Sequence, residues 1–142
     1  MLAITDVENM KEEPVQLFLS AAQTGVNLAS VEFHPYLKDN ENLVSSFLTA
    51  LVFLTDKIFA RPLDSVTIGE YTMIMKHESS LLFSYVFKGQ TSHAIQSLNE
   101  FVRKVVENPV LIECLDKTIA TGFVSGITRA IVRHIADKIF VS

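Results

Sequence analysis

Two rhythms of apolar and polar positions run along this chain. Short strand-like runs occupy Val15–Gln23 and Val26–Phe33, and Thr24-Gly25 separates them. A glycine in so short a gap predicts a hairpin, because tight turns require the positive φ that glycine accepts. A polar loop from His34 to Asn40 follows, with Asp39 or Asn40 placed to cap a helix. That helix is predicted to run to about Phe59, where Arg61-Pro62 closes it. Leu43, Val44, Phe47, Leu48, Leu51, Val52, Leu54 and Ile58 recur at helical spacing around much of its girth, which predicts deep burial.

Three further strand-like runs follow: Asp64–Ile68, Tyr71–Lys76 and Leu81–Phe87, punctuated by Gly69, by His77-Glu-Ser-Ser80 and by Lys88-Gly89. In the last two runs both parities are apolar. Tyr71, Met73 and Met75 oppose Ile74, while Leu81, Phe83, Tyr85 and Phe87 oppose Leu82 and Val86. A sheet with one wet face would alternate cleanly, so this sheet is expected to be covered on both sides. Helical spacing returns from Ser92 to Glu107, with Ala94, Ile95, Leu98, Phe101, Val102, Val105 and Val106 on one face. Asn108-Pro109 stops that helix and starts another, since proline suits a first turn.

From Pro109 to Phe140 apolar residues return every fourth position: Ile119, Phe123, Ile127, Ile131, Ile135 and Ile139. A stride of four drifts by roughly 40° per step on a helix of 3.6 residues per turn. Two readings stand: a break near Thr121–Gly126, or an unbroken helix packed closely at Gly122 and Gly126. Residues 1–14 read as a polar lead-in, with Thr5 and Glu8 able to cap a short turn that Pro14 would end, and residues 15–142 as one domain.

Composition narrows the function. The hydrophobic fraction is 49%, which fits either a core-rich fold or apolar surface left over for a partner. Net charge is −4, and acid gathers early: Asp6, Glu8, Glu12, Glu13, Glu32, Asp39 and Glu41 face only Lys11 and Lys38. With no Lys/Arg-rich run, nucleic-acid binding is not expected. The start lacks a basic and apolar leader, and the longest apolar uncharged stretch, Leu43–Thr55, is short of the ~20 residues of a spanning helix. The lone Cys114 cannot form an internal disulfide, which fits a reducing, cytoplasmic setting.

The predicted order is strand–strand–helix–strand–strand–strand–helix–helix, and from about Val15 to Phe140 it resembles the longin, or SNARE-like, fold. Leu43-Val-Ser-Ser-Phe-Leu-Thr-Ala-Leu51 resembles the first helix of archaeal longin-like proteins, and Ser80-Leu-Leu-Phe-Ser-Tyr-Val-Phe-Lys-Gly89 the strand entering their second helix. The sister roadblock fold has a longer helix ahead of its first strand. The resemblance implies an α+β, three-layer α/β/α architecture: a five-stranded antiparallel sheet with one helix on one face and two on the other, the second and third strands at its edges. It also implies an interaction module, such as an adaptor or subunit binding a small GTPase or another longin or roadblock domain in vesicle trafficking. With Ser142 as the last residue, the expectation is a stand-alone subunit rather than a longin SNARE.

Catalytic chemistry is not expected. Glycine-rich phosphate loops and the G-x-S-x-G turn are missing from the sequence, and His34, His77, His93 and His134 lie in separate elements. No metal or cofactor is predicted, and Cys114 reads as a small buried thiol. The partner surface is expected in the groove between the first helix and the third strand, at Phe47, Leu51, Val66 and Ile68. A homodimer is a further expectation. Arg129, Arg133 and Lys138 make one end mildly basic, which allows peripheral contact with acidic lipid or simply complements a helix dipole. The alternative function is a small-molecule sensor with a pocket lined by Tyr71, Tyr85 and His93.

Overall fold

A computed structural model describes residues 11–34, 50 and 65–141. Its strands are β1 (Glu13–Ala21), β2 (Asn27–Glu32), β3 (Ser65–Ile68), β4 (Tyr71–Glu78) and β5 (Leu81–Lys88). They form one antiparallel sheet in the order β2-β1-β5-β4-β3. The fold is α+β, with β2 and β3 at the edges. Three helices follow: α1 (Thr91–Val106), α2 (Pro109–Thr121) and α3 (Gly126–Phe140).

Both predicted apolar parities are buried. Leu17, Leu19, Val31, Ile74, Phe83, Tyr85 and Phe87 face the three helices, which contribute Leu98, Phe101, Leu111, Leu115, Val132 and Phe140. Rings gather here: the Phe140 ring lies tilted against Tyr85 at 4.6 Å and against Phe33 at 5.5 Å between centroids. Val15, Phe18, Met73, Met75, Leu82 and Val86 form a second buried cluster on the other face, to which α1, α2 and α3 add nothing. β5 accordingly has no exposed parity, its residues being buried from Leu81 through Phe87. The helix expected between Asn40 and Phe59, with Phe47 and Leu51, lies outside the described residues.

Several boundaries differ from the sequence reading, each for a local reason. β1 starts at Glu13, ahead of the expected Val15, and Pro14 lies inside it beside a register shift between Pro14 and Gln16. A bulge tolerates a residue that cannot donate to the ladder. The first hairpin is wider than a two-residue turn. The strand ends at Ala21, whose carbonyl accepts from Gly25 N–H at 2.9 Å, and the register slips between Leu19 and Ser20. Gly25 still supplies the positive φ, at 76°. His77 and Glu78 belong to β4, leaving Ser79-Ser80 as the turn. On α1, Ile95 and Val106 are exposed rather than on the buried face, since each lies one residue, about 100° of rotation, past a buried neighbour.

The stretch from Pro109 to Phe140 is broken. α2 ends at Thr121, Gly122 takes φ 77° and returns its N–H to the Thr118 carbonyl at 2.8 Å. α3 then opens with Ser125 accepting from Thr128 N–H at 3.2 Å. At the other end of α2 the Asn108 side chain accepts from Leu111 N–H at 3.0 Å, with Pro109 in the first turn as expected. Cys114 is half-buried, so the expectation of a buried thiol is too strong.

Candidate functional site

Three places bear on function: an edge of the sheet, a buried polar cluster, and the corner between α2 and α3. The edge is β3, four residues paired only with β4 among the described residues. Its register sets Val66 opposite Met73 and Ile68 opposite Tyr71. Val66 is half-buried and packs against the second cluster, while Ser65 and Thr67 are exposed. Two of the four residues expected at the partner surface, Val66 and Ile68, thus share one edge strand. An edge strand carries backbone N–H and C=O groups on its outer side that a neighbour's strand is able to join.

The polar cluster centres on Glu12, just ahead of β1 and only 3% exposed. Tyr85 Oη on β5 donates to Glu12 Oε1 at 2.7 Å, and His93 Nδ1 in the first turn of α1 lies 2.7 Å from Glu12 Oε2. An ionised carboxylate only accepts, so the Nδ1 proton is assigned to the bond with Glu12. Ser97 Oγ stands 3.4 Å from the same Nδ1. Burial, then the hydrogen bond to Glu12 and the charge of its carboxylate, hold the Tyr85 phenol well above its ordinary value. Its ionised form would be a second negative charge in an apolar site.

This constellation does not make a catalytic relay. A nucleophile–His–carboxylate chain needs the hydroxyl on one ring nitrogen and the carboxylate on the other. Here Ser97 and Glu12 both approach Nδ1. The arrangement instead ties three elements together. α1 has no acidic residue in its first turn and no side-chain cap, and Glu12 places a carboxylate there from the segment just ahead of β1. A negative charge at a helix N-terminus complements the helix dipole.

The structure brings together two of the three residues of the sensor reading. Tyr85 and His93 meet through Glu12, whereas Tyr71 packs on the opposite face of the sheet with the second cluster. Their convergence is internal: both polar groups are directed at Glu12. Glu12 itself escapes the sequence reading, which leaves it in the polar lead-in. Its partners stand 73 and 81 residues away, beyond any local pattern. Among the described residues, no three His, Cys, Asp or Glu side chains gather at metal distance.

The third place is apolar. Ile119 is 40%, Phe123 73% and Ile127 65% exposed, while Ile131, Ile135 and Ile139 further along the same every-fourth stripe are partly buried against the core. The stripe therefore leaves the core at the break and surfaces around it.

Among solved structures, the chain is similar to one described as "Homology model of the full-length AP-3 complex in a stretched open conformation", with 12% identity and a TM-score of 0.47. That likeness covers 89% of this chain and 90% of the other. At such values it decides neither family nor function. No family model matches the sequence, and no curated protein matches it.

Proposed function

We propose that this chain is a non-catalytic interaction module, an adaptor or subunit that receives a protein partner along the β3 edge. The observation that carries the reading is a short edge strand, half-buried at Val66, at the end of a sheet whose two faces are already filled. A partner gains backbone hydrogen bonds there without disturbing the core. The strand order agrees with the edges that the longin resemblance implies. On that resemblance the partner is a small GTPase or another longin or roadblock domain in a trafficking process, with Phe47 and Leu51 completing the groove beside Val66 and Ile68. A cytoplasmic setting belongs to the same reading.

Immobilised small GTPases and longin or roadblock domains from the same source, each assayed against the full chain, supply the test. Specific binding is expected, weakened about tenfold by Thr67→Pro, because proline removes an edge donor and stiffens the strand. Val66→Ala should weaken it less. A chain that stays monomeric by mass in solution and binds none of these proteins would remove the reading.

A further inference from the structure

Among the described residues, the most exposed large apolar side chain is Phe123, in the four-residue link between α2 and α3. We infer that this corner is a peripheral contact for a bilayer surface carrying anionic lipid. Phe123 and Ile127 enter the headgroup boundary, and Lys117 and Arg129 meet lipid phosphates.

Exposure, charge and depth argue for this occupant. Phe123 and Ile127, in and just after the link between α2 and α3, are 73% and 65% exposed, and a soft interface accepts exposed apolar side chains that a protein partner would have to match with a pocket. Charge is segregated along the chain. From Lys117 through Ala136 there are three basic residues and no acid, whereas the rest of the chain, with nine basic residues and all sixteen acidic ones, carries −7. Lys117 lies four residues before the end of α2, and Arg129 three residues after the start of α3. At 1.5 Å per residue, both cations sit roughly 5–6 Å behind the tip, within the roughly 5–10 Å to which interfacial apolar faces sink. Long basic side chains reach the phosphate level from that depth.

Of the nearby acids, Asp116 lies one residue behind Lys117 on α2, while Glu113 and Asp137 lie farther back. Glu113 pairs with Lys117 at 3.4 Å and Asp137 with Arg133 at 3.3 Å, and exposed pairs of this kind yield readily to a phosphate. Asp116, also exposed, precedes the acid-free stretch. Among the described residues no helix is long and apolar enough to cross a membrane, so the contact is superficial. With only two cations at that depth, attachment is weak and needs the exposed apolar side chains as well as charge. It does not depend on the β3 partner.

The test is co-sedimentation of the full chain with vesicles of phosphatidylcholine alone, and with vesicles containing about 30% phosphatidylserine, at low and high salt. Binding is expected only to the anionic vesicles and should fade as salt rises. Phe123→Ser should weaken it about tenfold, from the loss of a buried ring. Arg129→Gln should weaken it about fivefold, the share of one basic residue near a charged surface. Circular dichroism should show both variants folded, since both side chains are exposed. Failure to sediment with anionic vesicles, or sedimentation untouched by both substitutions, overturns the proposal. So does a solution mass of twice the chain that Phe123→Ser halves, because the corner would then join two copies.

Discussion

Gln16 sits in the middle of β1 with its side chain wholly out of solvent, and among the described residues neither its Nε2 nor its Oε1 finds a hydrogen-bond partner. A buried amide left unpaired costs about 1–3 kcal/mol. Gln16→Leu is therefore expected to raise the unfolding free energy by about 1–2 kcal/mol in urea titrations, once shape differences are allowed for. An unchanged or lowered midpoint would show that the amide is satisfied. Glu12 is the opposite case, because its carboxylate satisfies two donors at once. Replacing it with Ala strands Tyr85 and His93 and should cost about 2–4 kcal/mol. Tyr85→Phe, which leaves Glu12 its bond to His93, should cost about 1 kcal/mol. The phenol also sets an alkaline limit. Its folded value lies above the ordinary 10.0, so the folded chain keeps a proton that the unfolded chain gives up. Stability from this source is complete below pH 10 and falls above it, by at most about 1.4 kcal/mol per pH unit. Urea titrations between pH 9 and 11 should show a decline that Tyr85→Phe flattens.

At the scale of elements, the break between α2 and α3 decides how the C-terminal third packs. One straight helix from Pro109 to Phe140 would have rotated the every-fourth stripe off the core. By ending α2 at Gly122 and restarting at Ser125, the chain returns Val132, Ala136 and Phe140 to the sheet. Gly122 holds a left-handed conformation with open space around its Cα, so a substitution there meets backbone strain and no clash. Gly122→Ala should cost about 1 kcal/mol, and Gly122→Asn less, because asparagine tolerates that region better. Ser125→Ala, which removes the cap on Thr128 N–H, should also cost about 1 kcal/mol. Thermal unfolding of the three variants checks all of these. A Gly122→Ala variant as stable as the parent would mean that the corner relaxes into another conformation.

Across the whole molecule, stability should be graded from the middle of the sheet outward. β1 and β5 are flanked by strands on both sides and buried on both faces, whereas β3 is short and at an edge. Amide hydrogen exchange is expected to be slowest in Leu17–Ser20 and Leu82–Val86 and fastest, among the strands, in Ser65–Ile68. Fast exchange in β5 would contradict the two-sided burial that organises the fold. In the same grading the β3 edge and the Phe123 corner, the two surfaces proposed above for a partner and a bilayer, lie at the periphery, where contact disturbs the core least.

The five strands, the helices after them, the burial of both sheet faces and a weak point near Gly122 were all legible in the sequence, because each rests on spacing within one element or on a single residue's backbone freedom. Gly25 and Asn108-Pro109 announced their turns for the same reason. Choosing between a broken and a continuous last helix took the tertiary structure, since the stripe of isoleucines fits either until the sheet fixes which side is covered. Glu12 was invisible for a stricter reason. A carboxylate becomes a tie between strand and helix only when folding removes water and brings in donors from distant β5 and α1. The exposure of Phe123 was likewise settled by packing: periodicity assigns a residue to a stripe, but only the neighbours in space determine where that stripe leaves the core.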